Sequence, residues 1–158
     1  MKPVLQALLL ADRIYEDKAT GKKIVAGIFQ AVFFKKAEDL KAELEKRGVS
    51  GAGMPGGFHA GSPYAYISLT DLRGTQPFVL RYVDLGEDKP VFEAAFTVSS
   101  DDPLKTVEII APLPPLPTTK AGTFALELLW NDEPLGSFRV TVKELQIEGT
   151  SDDTDAND

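Results

Sequence analysis

The stretch from Gly122 to Lys143 constrains the fold more than any other, because its apolar residues occupy every second position through two consecutive runs. Phe124, Leu126, Leu128 and Trp130 share one face of the first run, and Phe138, Val140 and Val142 share one face of the second. Thr123, Glu127, Ser137, Arg139, Thr141 and Lys143 lie opposite. Period two over this length specifies half-buried antiparallel strands. Keeping the apolar faces together pairs Leu128 with Phe138, Leu126 with Val140 and Phe124 with Val142, and it demands a loop of odd length. No glycine sits among Asp132, Glu133 and Pro134 to take the left-handed position of a three-residue loop, so the expected loop runs over five residues, Asn131 to Leu135.

Two apolar runs open the chain, Val4 to Ala11 and Ile24 to Phe34, and neither alternates. Strands that are apolar on both faces are central or lie under another layer, and the turn residues Glu16 to Lys23 suit a hairpin joining them. Ala37, Leu40 and Leu44 then recur at helical spacing, which predicts a short helix over 36–47 closed by Gly48. A glycine-rich loop, 48–61, follows it. Further strands are expected at Tyr64–Asp71, Phe78–Asp84, Val91–Ser99 and Lys105–Ala111, separated by turn clusters. The sum is a single domain over 1–148 with about eight strands: a two-layer antiparallel β-sandwich, immunoglobulin-like or C2-like, with one helix inserted after the second strand and a small barrel as the alternative.

Charge and missing residue types narrow the chemistry. Four of the seven net negative charges fall in the acidic tail, 149–158, whose polar composition cannot offset its ordering entropy, so 150–158 is expected to be disordered. Lysine and arginine show no concentration of the kind duplex DNA demands, so no nucleic-acid partner is expected. Cysteine is absent and His59 is the sole histidine, which excludes disulfides, thiolate metal sites and multi-histidine metal centres. The apolar run Val4–Ala11 is short and leads to Asp12 and Arg13 without a small-residue cleavage site, so it reads as a strand rather than a secretory signal. No run is long enough to span a bilayer, and the expected location is cytoplasmic.

Several motifs promise chemistry and fall short of it. Gly51, Gly53 and Gly56 have the spacing of a dinucleotide fingerprint, but they follow a helix and lead into a strand, the reverse of the required context. His59 and Ser62 lack a third catalytic group and a nucleophile elbow. The acidic pairs Glu87–Asp88 and Asp101–Asp102 are candidates for calcium at one loop end, set against the ordinary preference of aspartate for turns. Ala111 to Pro117 holds two overlapping P-x-x-P spacings, read as a rigid crossover between sheets with Leu113 and Leu116 tucked beneath it. On the Tyr64 strand, Ala65, Ile67 and Leu69 point inward, which leaves Tyr64 and Tyr66 side by side on the outer face, either as a contact surface for a partner or, equally, as the seat of the helix over 36–47. Phe29, Phe33 and Phe34 add further apolar surface near the end of an early strand.

The opening P-V-L-Q-A-L-L-L-A-D-R, the K-K-I-V-A-G-I-F run, the P-L-P-P-L-P stretch and the closing A-G-T-F-A-L-E-L-L-W-N-D-E-P-L-G-S-F-R-V-T-V form an ordered set. Together they resemble an uncharacterised family of small bacterial β-sandwich proteins, a domain of unknown function. The resemblance covers most of Pro3 to Val142 and implies one sandwich domain with no assigned activity and no catalytic residues to carry over. The segment from Lys36 to Gly61 is longer than that family's pattern.

These readings converge on a non-enzymatic module for protein interaction or self-assembly, with no cofactor. Its expected contact residues are Tyr64, Tyr66, Phe33, Phe34, Met54, Phe58 and His59. The competing expectation is a sandwich that holds calcium or a small polar ligand at one loop end.

Overall fold

The computed structural model describes residues 2–34, 62–117 and 120–145, together with Ala42 and Lys46. Nine strands make up these residues: β1 (Val4–Glu16), β2 (Lys23–Ile28), β3 (Ala31–Phe34), β4 (Tyr64–Thr70), β5 (Gly74–Asp84), β6 (Lys89–Ser100), β7 (Val107–Pro112), β8 (Gly122–Trp130) and β9 (Glu133–Glu144). They form two sheets, A in the order β2-β1-β4-β7 and B in the order β3-β9-β8-β5-β6. The two sheets share one core, so the chain is all-β and sandwich-like. Of the helix expected over 36–47, nothing is seen beyond Ala42 and Lys46, which are helical; the rest, like the glycine-rich segment 48–61 and the tail 149–158, lies outside the described residues.

The first hairpin forms where the turn residues place it. Asp17 builds its turn by accepting bonds from the Ala19 amide and the Thr20 hydroxyl, and Gly21 takes the left-handed conformation at φ 69°. Glu16 then pairs with Lys23 and Ala11 with Ile28.

The second apolar run is two strands, not one. Gly27 sits at φ 74°, and the chain then leaves sheet A: the Phe29 amide still donates to the Leu10 carbonyl, at 3.4 Å, while the Gln30 carbonyl accepts from Thr141 of β9, at 2.8 Å. Adjacent residues thus hand the backbone from one sheet to the other, and β3 runs parallel to β9. This corrects the reading of the run as a central, two-faced strand. Its apolar residues are continuous because one half serves sheet A and the other serves sheet B, and both halves are edge strands. Only β1, held between β2 and β4, is central as expected.

The closing hairpin keeps the predicted parity but shifts its register. Phe124 faces Val140 and Leu126 faces Phe138, so the apolar faces stay together two residues away from the expected pairing. The five-residue loop is replaced by a tight turn in which Asn131 and Asp132 adopt φ 47° and 62°, the pair of left-handed residues a type I′ turn requires. Asparagine and aspartate tolerate that conformation without glycine. A bulge between Leu128 and Leu129 absorbs the parity change: Leu128 faces Gly136, Leu129 faces Pro134, and Leu135 is the extra residue.

The core lies where alternation aims it. Leu8, Leu10, Ala65, Ile67 and Leu69 from sheet A meet Val32, Phe78, Leu80, Tyr82, Phe124, Leu126, Leu128, Val140 and Val142 from sheet B in one buried cluster. Each large side chain buried there contributes about 1.5–3 kcal/mol. Tyr82 stacks between Phe92 and Phe124, with ring centroids 5.4 and 5.2 Å away, and Phe78 stacks on Phe96 at 5.8 Å. The proline segment after β7 leads from sheet A to sheet B with Leu113 and Leu116 buried under it, which is the crossover read from its sequence.

Candidate interaction face

The outer face of sheet A is assembled by register. On β4, Ala65, Ile67 and Leu69 are fully buried, which turns Tyr64, Tyr66, Ser68 and Thr70 outward. Pairing then sets Ile28, Ala11, Tyr64 and Pro112 in one row across the sheet, and Leu9, Tyr66 and Ile110 in the next. Beyond them β1 and β2 add the cross-strand pairs Arg13–Ala26 and Tyr15–Ile24. Tyr15, Ile24 and Ile28 are 54%, 53% and 52% exposed, whereas Tyr64 and Tyr66 are half-buried among their neighbours.

The Tyr66 hydroxyl donates to the Glu108 carboxylate on β7. Burial, then the Glu108 carboxylate as bond partner and as charge, raises the Tyr66 phenol above its ordinary value. It therefore stays protonated, presenting an apolar ring body with a fixed polar tip. Sheet B has a different outer face. There Arg81 and Glu127 form a cross-strand ion pair at 2.7 Å, with Glu93 of β6 opposite Arg81 and Arg139 of β9 in the next outward row, opposite Ala125. The outer face of sheet A is thus mainly apolar and aromatic, with Arg13 and Glu108 among its side chains, whereas that of sheet B sets the Arg81–Glu127 pair between the apolar rows Val79–Leu129 and Val83–Ala125.

The remaining expected contact residues scatter. Phe33 is 46% exposed but belongs to β3 at the edge of sheet B, away from the tyrosines. Phe34, at 6% exposure, packs in the shared core, and Phe29 lies partly buried against it. Met54, Phe58 and His59 lie outside the described residues, as do Gly51, Gly53 and Gly56. Sequence reasoning missed Tyr15, Ile24 and Ile28. Their signal was available in the first hairpin: once Glu16 faces Lys23, Tyr15 must face Ile24 on the same side as Tyr66.

The acidic pairs at the loop ends are engaged in building turns. Asp84 accepts bonds from the Gly86 and Glu87 amides at 2.9 and 3.2 Å and from Lys120 at 3.1 Å, and Lys120 also binds Glu87. The Lys120 bond, joined by those amides and the Lys120 charge, lowers the Asp84 carboxyl below its ordinary value, while Glu87 and then Asp84 raise the Lys120 ammonium. Asp101 holds Lys105 at 3.2 Å, and Asp102 accepts from the Leu104 amide at 2.9 Å. Asp71, Asp88 and Asp132 occupy left-handed backbone positions at φ 58°, 52° and 62°. Among the described residues, no three acidic or histidine side chains group so as to hold a metal ion.

No protein-family model matches this chain, and no curated protein matches it. Among the described residues no helix is long and apolar enough to cross a membrane.

Proposed function

We propose that this protein is a non-enzymatic interaction module that binds a protein partner through the outer face of sheet A. The observation that carries the reading is the outer face of sheet A, where register joins Tyr15, Ile24, Ile28, Tyr64, Tyr66 and Ile110 into one aromatic and aliphatic surface on which Tyr15, Ile24 and Ile28 are exposed. Tyrosine and arginine are residue types that anchor interfaces, Arg13 stands between the Ala11 and Tyr15 rows, and Glu108 on the edge strand β7 supplies a polar rim. The sandwich that carries it is of immunoglobulin-like type in one respect. Its nine strands divide four and five, the split of a variable-type domain, although the strand order of sheet A is not that of such a domain.

Affinity capture from a lysate of the source organism tests this, with wild type compared against Tyr64→Ser/Tyr66→Ser and Ile24→Ser/Ile28→Ser. A partner retained in stoichiometric amount by wild type and lost from both variants is the expected result. Recovery of the same proteins by all three baits would sink the reading.

A further inference from the structure

The two sheets end in four edge strands, β2 and β7 in sheet A and β3 and β6 in sheet B. An open edge is a row of unpaired N–H and C=O groups, and proteins blunt such edges with short strands, prolines, lysines or distortions of the strand. Three of the four edges here are blunted. β2 is six residues long, enters through Lys22 and Lys23, and is distorted at Gly27 with φ 74°. Pro112 ends the six residues of β7, and Pro114 and Pro115 follow it. β3 has four residues.

β6 is the exception. It is twelve residues long, and its one irregularity, the extra residue Val91, lies beside Pro90 at one end. From Phe92 to Ser100 it follows β5 in unbroken register and contains no proline, glycine, lysine or arginine, with Glu93 its sole charge. Glu93, Ala94, Ala95, Thr97 and Ser99 are exposed, so the strand is open on both faces. Among the described residues no other backbone bonds to its free edge.

We propose that β6 pairs antiparallel with β6 of a second copy about a two-fold axis at Ala95, joining two five-stranded sheets into one. The strand is self-complementary about that point. An axis through a residue keeps inward side chains facing inward ones. At Ala95 it sets Ala94 against Phe96, Phe92 against Val98, and Glu93 against Thr97, with no like charges opposed. At each end it brings Lys89 opposite Asp101, one residue past the strand, with Asp88 and Asp102 meeting only in the flanking turns. Among axes through residues 93–97, this is the one that gives Lys89 an acidic partner.

Phe92 and Phe96 are half-buried because Tyr82 and Phe78 cover them from the β5 side alone. Val98 and Ala94 of the second copy complete their cover. Ala95 is exposed, and alanine is a poor strand former on an exposed face; at an axis its small size lets the backbones approach. This surface is separate from the tyrosine face and goes beyond the binding role proposed for it.

Sedimentation equilibrium and light scattering over a concentration series test the pairing, with circular dichroism to confirm that each variant is folded. Wild type is expected to be a dimer. Ala95→Lys places two lysines opposite each other at the axis and weakens the dimer by about tenfold or more. Thr97→Lys places a lysine opposite Glu93 of the other copy twice over and tightens it about threefold or more, while Thr97→Glu loosens it. The variant Tyr64→Ser/Tyr66→Ser leaves the dimer intact, and Ala95→Lys leaves partner capture by the tyrosine face intact. A wild-type chain that stays monomeric throughout overturns the proposal. So does a dimer that ignores Ala95→Lys, or one that moves in the same direction with Thr97→Lys and Thr97→Glu.

Discussion

At Gly136 of sheet B a Cβ would run into Leu5 of sheet A, and replacing the glycine with alanine measures how tightly the two sheets pack there. It lies on β9 opposite Leu128, just past the bulge. A Cβ added there would stand 2.5 Å from Leu5 Cδ2 and 3.8 Å from Leu5 Cγ. Carbon atoms in contact prefer about 3.5–4.0 Å, so one terminal methyl must move by roughly 1 Å while the rest of Leu5 is comfortable. Overpacking of this kind costs about 1–3 kcal/mol. Alanine returns about 0.5–1 kcal/mol because it loses less backbone freedom than glycine in a strand. The net for Gly136→Ala is a loss of about 1 kcal/mol, a fall in Tm of about 2–4 °C. Leu5→Ala removes the obstructing methyl, and in that background Gly136→Ala becomes stabilising, for a coupling of about 1–3 kcal/mol. Urea unfolding of the four proteins of this cycle, followed by the fluorescence of the single tryptophan, Trp130, reads the coupling directly. Equal effects of Gly136→Ala in both backgrounds would refute the reasoning, since the cost would then not pass through Leu5.

Two further predictions concern Tyr82 and its neighbour Asp84. The Tyr82 hydroxyl is buried and has no hydrogen-bond partner among the described residues, so Tyr82→Phe raises stability by about 1 kcal/mol; a loss of that size would show that the hydroxyl is satisfied. Burial and then the Asp84 charge raise this phenol, so it remains un-ionised in alkaline titration until the protein unfolds. Asp84 is lowered from its ordinary 3.8, chiefly by Lys120, so its contribution to stability is complete above that value and disappears as pH falls through the lower folded value. Urea midpoints for Asp84→Asn therefore fall below wild type at pH 7 and converge with it at pH 2; a gap that persists at pH 2 would contradict the assignment.

How much was legible in the sequence depended on whether a pattern belonged to one sheet or two. The alternation of Phe124, Leu126 and Leu128 against Phe138, Val140 and Val142 fixes faces, because a one-residue slip would expose all of them. It cannot fix register to within two residues, since Asn131 and Asp132 close a tight turn that glycine counting overlooks and a bulge restores the parity. Ile24 to Phe34 misled for a related reason: composition is continuous across a segment whose hydrogen bonds change sheets at Phe29 and Gln30. The inward set Ala65, Ile67 and Leu69 was readable from β4 alone. The full outer face was not, because Tyr15, Ile24 and Ile28 join it only through pairing partners distant in the chain. Aspartate clusters read in sequence as turns or as ion ligands because both chemistries draw on the same residue, and the structure shows the turn role of Asp84 and Asp102.

The handover at Phe29 and Gln30 also dictates an order of events. Among the described residues β3 pairs only with β9, so residues 31–34 wait for residues 141–144. During synthesis the chain can close the β1–β2 hairpin early, but β3 cannot join sheet B until β9 has been made, and closing so long a loop carries a high entropic cost. Phe34 and Val32, buried in the structure, lack that partner strand until residues 141–144 are made. The parallel seam is the latch of this fold: loss of residues 141–144 unpairs the whole of β3 and the start of β8 at once.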